Sequence, residues 1–186
     1  MRKIVVSNLM TVDGYFEGIN QDASWFVTGN DFFDFAIKQL DEVDTILFGR
    51  TTYQQMAAFW PDAKAEDAAM AAIKDKMNSL QKIVFSKTLK TAEWNNSRII
   101  REHITDEIIQ LKQQPGKDMV IFGSGTIVSE LTHLKHIDEY RLVIVPVILG
   151  NGNPLFKSIN ERVNLKLINM KILDSGSVII YYRREM

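Results

Sequence analysis

A buried strand that runs into a glycine turn and then opens a helix occurs twice in this chain, and that repeated unit restricts the fold most. The two segments are Thr45-Ile-Leu-Phe-Gly-Arg-Thr-Thr-Tyr53 and Met119-Val-Ile-Phe-Gly-Ser-Gly-Thr-Ile127. Strands alternating with helices imply parallel crossovers, hence a sheet with helices on its faces. Each helix start also offers unpaired backbone N–H groups and the positive end of a dipole, which suit an anion. Two such starts in 186 residues suit a ligand with two or more phosphates, and a dinucleotide is the simplest one.

The rest of the chain extends the same rhythm. Arg2 to Leu9 reads as a β-branched strand, followed by an Asp13-Gly14 turn. Apolar residues at Phe32, Phe33, Ala36, Ile37, Leu40 and Val43 have helical spacing. Thr51 to Phe59 is predicted helical up to Trp60-Pro61, and Ala65 to Leu80 is predicted helical with Ile73 and Met77 inward. Strands are expected at Lys82 to Phe85 and Arg98 to Arg101, then a helix from Thr105 to Leu111 that ends before Pro115-Gly116. After a helix over Thr126 to Leu134 the pattern changes to strands only: Glu139 to Leu149, Leu165 to Leu173 and Ser177 to Arg184. The Asp174-Ser175-Gly176 connection makes the last two an antiparallel hairpin. The expectation is one α/β domain over residues 1–186, a mixed, mainly parallel sheet of about eight strands flanked by helices.

Composition excludes several classes. The net charge of -1 argues against a general attraction to nucleic acid or anionic membrane. The absence of cysteine removes disulfides, thiolate metal sites and cysteine nucleophiles. The start, Met1-Arg-Lys-Ile-Val-Val-Ser-Asn, turns polar too early for a signal peptide. The longest apolar run, Leu142 to Leu149, falls far short of the ~20 residues that span a bilayer. A cytoplasmic protein is expected. His133 and His136 stand three apart without a metal-ligand pattern, so no metal is expected.

Six segments, in order, resemble the dihydrofolate reductase fold, and within it the reductase domain of bacterial riboflavin biosynthesis. They are Thr11-Val-Asp-Gly14, Ser24-Trp-Phe-Val-Thr-Gly29, Phe48-Gly-Arg-Thr-Thr-Tyr53, Val84-Phe-Ser86, Val120-Ile-Phe-Gly-Ser-Gly-Thr126, and Asp138-Glu-Tyr-Arg-Leu142 continuing to Pro146-Val-Ile-Leu-Gly-Asn-Gly-Asn-Pro154. The resemblance implies a three-layer fold, NADPH as cofactor and a small heterocyclic substrate. The chain departs from the folate enzymes in lacking their proline-tryptophan loop. It departs from the riboflavin reductases in having Phe122 where they carry an acid, and no fused deaminase is expected.

The resemblance assigns roles by position. Gly49, Arg50, Thr51 and Thr52 would grip the pyrophosphate and adenosine side, with Arg50 as a charge-assisted donor. Gly123, Ser124, Gly125 and Thr126 would lie against nicotinamide and pyrophosphate, so a side chain at Gly125 is expected to exclude the cofactor and spare the fold. Ser86 and Lys87 would take a 2′-phosphate, and Trp25 and Thr28 would lie near nicotinamide and substrate. The plain alternatives are strand–helix junctions, a solvated lysine and a core tryptophan. Asp13 is the first candidate to hold or relay a proton, while Asp31 and Asp34 sit where an acid also serves a helix dipole. The competing functions are a divergent dihydrofolate reductase and a nucleotide-binding module without catalysis. The late apolar strands have no following helix to cover them, so a homodimer burying Tyr181 or Tyr182 is expected.

Overall fold

The computed structural model describes residues 1–26 and 29–185. Its core is an eight-stranded sheet. The strands are β1 (Ile4–Thr11), β3 (Val43–Gly49), β4 (Gln81–Phe85), β5 (Ser97–Ile100), β6 (Asp118–Ile121), β7 (Glu139–Val145), β9 (Leu165–Ile172) and β10 (Val178–Arg184). Their order is β5-β4-β3-β6-β1-β7-β10-β9. The first six are mutually parallel; β10 is antiparallel to both β7 and β9. This is the mixed α/β sheet with a terminal hairpin expected from the strand–helix rhythm. Two short strands, β2 (Tyr15–Glu17) and β8 (Asn153–Pro154), form a separate ribbon.

The helices are α1 (Asn30–Asp41), α2 (Arg50–Phe59), α3 (Ala68–Ser79), α4 (Ile104–Gln113) and α5 (Gly125–His133). α3 begins three residues later than Ala65 because the Asp67 carboxylate caps it, accepting from the Met70 N–H at 2.8 Å. β7 stops at Val145, four residues short of the expected end, because Pro146 brings no N–H to the ladder.

Strand alternation divides the core into two layers. On one face Val6, Leu47, Ile83 and Ile121 pack with Ile108, Ile127 and Leu131 from α4 and α5. On the other, Ile46, Phe48, Val84 and Val120 pack with Leu40, Tyr53, Ile73 and Met77 from α1, α2 and α3. α1 also reaches across β7 and β10, where Phe32 and Phe35 meet Val143, Ile179 and Tyr181. The important consequence is positional. β3 and β6 are neighbours, so the helices that follow them start side by side at the same edge of the sheet.

Candidate functional site

The turns after β3 and β6 are tied to each other. The Gly49 N–H donates to Ser124 Oγ at 2.9 Å, and the Ser124 N–H donates to Thr52 Oγ1 at 2.9 Å. Thr52 and Ser124 are both buried. Their hydroxyl oxygens therefore hold one turn against the other, a use the sequence reading did not give them. Thr51, Thr126 and Arg50 are exposed beside them. The two turns lead directly into the first backbone N–H groups of α2 and α5, which have no partner in a preceding helical turn.

The glycines answer to the protein itself. Gly123 has φ of +57°, and a Cβ there would lie 2.8 Å from Thr52 Cγ2. A Cβ on Gly125 would lie 3.0 Å from Phe16 Cε1 and 3.4 Å from the Leu155 carbonyl. A side chain at Gly125 would thus press on the Phe16 ring as well as on the space beside the turn.

These turns open onto a cleft of about 440 Å³. It is lined by Gly49, Arg50, Thr51, Gly125 and Thr126 together with Phe16, Asn153 and Lys157. The last three come from the β2–β8 ribbon and the segment after it, which sequence periodicity missed because two- and three-residue strands show no period. At one end Arg50 Nη1 donates to Thr88 Oγ1 at 2.9 Å. Ser86 Oγ accepts from the N–H groups of Thr88 and Leu89 at 3.3 and 3.0 Å, and Lys87 is exposed between them. Arg50, Ser86 and Thr88 thus meet between α2 and the segment after β4, with Thr88 an addition to the expected set.

Other candidates fall elsewhere. Asp13 is exposed, and both its oxygens are used: Oδ1 accepts from Thr11 Oγ1 at 2.6 Å and Oδ2 from the Gly150 N–H at 2.7 Å. The Thr11 hydroxyl and the Gly150 and Leu149 amides hold this carboxyl below the usual carboxylate range. It clamps the loop after β7 and is ionised near neutrality, which favours a structural role over proton donation. Asp31 accepts from the Asp174 N–H at 2.6 Å, tying α1 to the last hairpin. Trp25 is buried, with Nε1 donating to the Asp22 carbonyl at 3.2 Å and its ring edge-on to Phe26, the behaviour of an anchor. Thr28 lies outside the described residues.

The RibD C-terminal domain family model matches residues 2–180. The chain belongs to the RibD C-terminal domain family. It is 35% identical over 183 residues to YyaP, an uncharacterized protein of Bacillus subtilis strain 168, covering 97% of this chain and 94% of that one. Among solved structures it resembles a putative riboflavin biosynthesis protein from Shewanella sp. PV-4, with TM-score 0.80, 18% identity and 99% of both chains covered. It also resembles the dihydrofolate reductase of Enterococcus faecalis complexed with NADP(H), with TM-score 0.66, 14% identity, 99% of this chain and 97% of that one covered. The likeness to the dihydrofolate reductase structure is one of fold. Among the described residues no helix is long and apolar enough to cross a membrane.

Proposed function

We propose that this RibD-type chain is an NADPH-dependent reductase of a small pyrimidine- or pterin-like heterocycle. The observation that carries the reading is the pair of helix starts, α2 and α5, joined by the Gly49–Ser124 bond and opening onto one cleft. Their amides fit a pyrophosphate. Arg50, Ser86, Lys87 and Thr88 fit a 2′-phosphate at the cleft's end, since an arginine, a lysine and two hydroxyls are the donors such a group needs. Bound there, NADPH would supply the hydride; the protein binds and orients. The proton needed by a C=N or C=O acceptor is assigned to water, because Asp13 is ionised and committed to its loop.

The test is titration with NADPH and NADH, followed by turnover against aminopyrimidine and pterin substrates. NADPH is expected to bind at least tenfold more tightly, as a charged contact contributes roughly 1.5–3 kcal/mol. Arg50→Ala should remove most of that preference, and equal affinities in the unmodified chain would sink the 2′-phosphate assignment. The engagement of Asp13 and Asp31 also favours a second reading, a nucleotide-binding module without turnover. Binding without turnover on the whole panel would select it.

We further propose a homodimer through the C-terminal strands, with a changed contact face. Tyr181 is not free: it is half-buried under α1, its ring centroid 6.4 Å from that of Phe35. The opposite face of β9 is apolar and open, with Leu167, Met170 and Ile172 exposed by 51, 54 and 67%. They stand opposite Tyr182, Ile180 and Val178 on β10, whereas Lys166, Asn169 and Lys171 occupy the other face. A two-fold contact would bury the first set and leave the second in water. Sedimentation should give twice the chain mass, and Met170→Glu with Ile172→Glu should give the single chain. A single chain before mutation would exclude the dimer.

A further inference from the structure

We infer that Asn8 is the positioning residue that sets the direction of the α5 amides, an inference that rests on the nucleotide reading of the cleft. β1 pairs with β6 in parallel, with Ile4 opposite Met119 and Val6 opposite Ile121, and the ladder stops there. Two residues further on, Asn8 faces Gly123. Its side chain, buried at 5% exposure, replaces the missing ladder bonds. Oδ1 accepts from the Gly123 N–H at 2.5 Å, and Nδ2 donates to the Gly123 carbonyl at 3.2 Å. One planar amide satisfies both main-chain groups of one residue, as a neighbouring strand would.

The turn needs such a hold. Gly123 and Ser124 are both left-handed, with φ of +57° and +56°. A serine adopts that conformation only when its surroundings fix it. Ser124 is fixed from one side by Thr52 and Gly49, and Gly123 from the other by Asn8. α5 begins at the next residue. Three strands, β1, β3 and β6, thus set one turn, and Asn8 is the part of that circuit supplied by a strand that carries no phosphate-facing turn of its own. Only a group with a donor and an acceptor on adjacent atoms of one plane can do this. A carboxylate accepts from the Gly123 N–H but opposes its carbonyl; a leucine does neither.

The experiment compares Asn8→Leu and Asn8→Asp with the unmodified chain, using NADP+ as the probe. Asn8→Leu is expected to weaken NADP+ binding at least tenfold. Asn8→Asp should also weaken it at pH 8, because a carboxylate accepts from the Gly123 N–H but opposes the Gly123 carbonyl. Ile108→Val, a buried change on α4 away from the cleft, is the control for lost stability and should leave affinity unchanged. Amide exchange at Gly123 and Ser124 should quicken in Asn8→Leu while that of Val120 does not. Unchanged affinity in a folded Asn8→Leu overturns the inference. If that variant does not fold, Asn8→Asp at pH 8 carries the comparison, and unchanged affinity there overturns the inference. If the unmodified chain fails to bind NADP+, the nucleotide reading falls, and exchange alone decides Asn8: unchanged rates at Gly123 and Ser124 overturn it.

Discussion

Gly123→Val is expected to abolish NADP+ binding and to lower the unfolding free energy by about 3 kcal/mol. Two costs add. A β-branched residue at a φ of +57° is strained by roughly 1–2 kcal/mol. Its Cβ would also lie 2.8 Å from Thr52 Cγ2 and 3.1 Å from Thr52 Oγ1, and overpacking of this kind costs roughly 1–3 kcal/mol. Relief requires Thr52 to move, which withdraws the acceptor from the Ser124 N–H and loosens both turns together. Gly14→Ala separates the two costs: its φ is +90° but nothing lies within 4 Å of the added Cβ, so only the backbone part applies. Urea unfolding of the two variants measures the difference. A Gly123→Val protein within about 0.5 kcal/mol of the unmodified chain would show that the turn yields, against the geometry described.

That variant also marks where sequence reasoning stops. The order of strands and helices is legible because periods of two and of 3.6 residues are local properties, and nearly every long element follows them. The two glycine turns were legible as helix starts for the same reason. What each glycine faces is a different matter. Gly125 lies against Phe16 of β2 and Gly123 against Thr52 of α2, residues far away along the chain. No local pattern distinguishes a glycine that admits a ligand from one that admits a neighbouring side chain.

The hydroxyls follow the same logic. Thr51 and Thr52, or Ser124 and Thr126, are equivalent donors on paper. Helix geometry turns Thr52 inward to Ser124 and leaves Thr51 exposed. Asn8 carried no signal at all, since a polar residue in a β-branched strand has no recognisable motif. Its role arises only where β6 ends two residues before β1 would need it. Trp25 and Asp13 are chemistry-bearing residue types, yet each has a nearby backbone partner in the structure. The two glycine turns stand at the edge of the sheet where the cleft lies; the division of labour among its residues is a three-dimensional property.

The second large effect concerns Lys82 on β4, far from that division. Lys82→Ala is expected to cost about 3 kcal/mol, lowering the melting temperature by roughly 6–12 °C at 2–4 °C per kcal/mol for a chain of this size. The side chain is 0% exposed. Its ammonium donates to the carbonyls of Asn78 at 2.7 Å and Asn95 at 3.1 Å, and it lies 4.3 Å from the centre of the Trp94 ring. It thereby ties the end of α3 to the segment leading into β5. Truncation leaves a cavity where the buried stem lay and removes the donor that joins the Asn78 and Asn95 carbonyls. Burial lowers the pKa of this ammonium to about 8, against about 10.4 in an unfolded chain. Between those two values the unfolded chain binds more protons at this site than the folded one, so the contribution of Lys82 to stability rises with pH across that window. Lys82→Met keeps most of the side-chain volume and cannot titrate. The stability gap between the unmodified chain and Lys82→Met should therefore move in favour of the unmodified chain from pH 8 to pH 10. A gap that stays level or moves the other way would show that the two carbonyls and the Trp94 face hold the ammonium charged throughout.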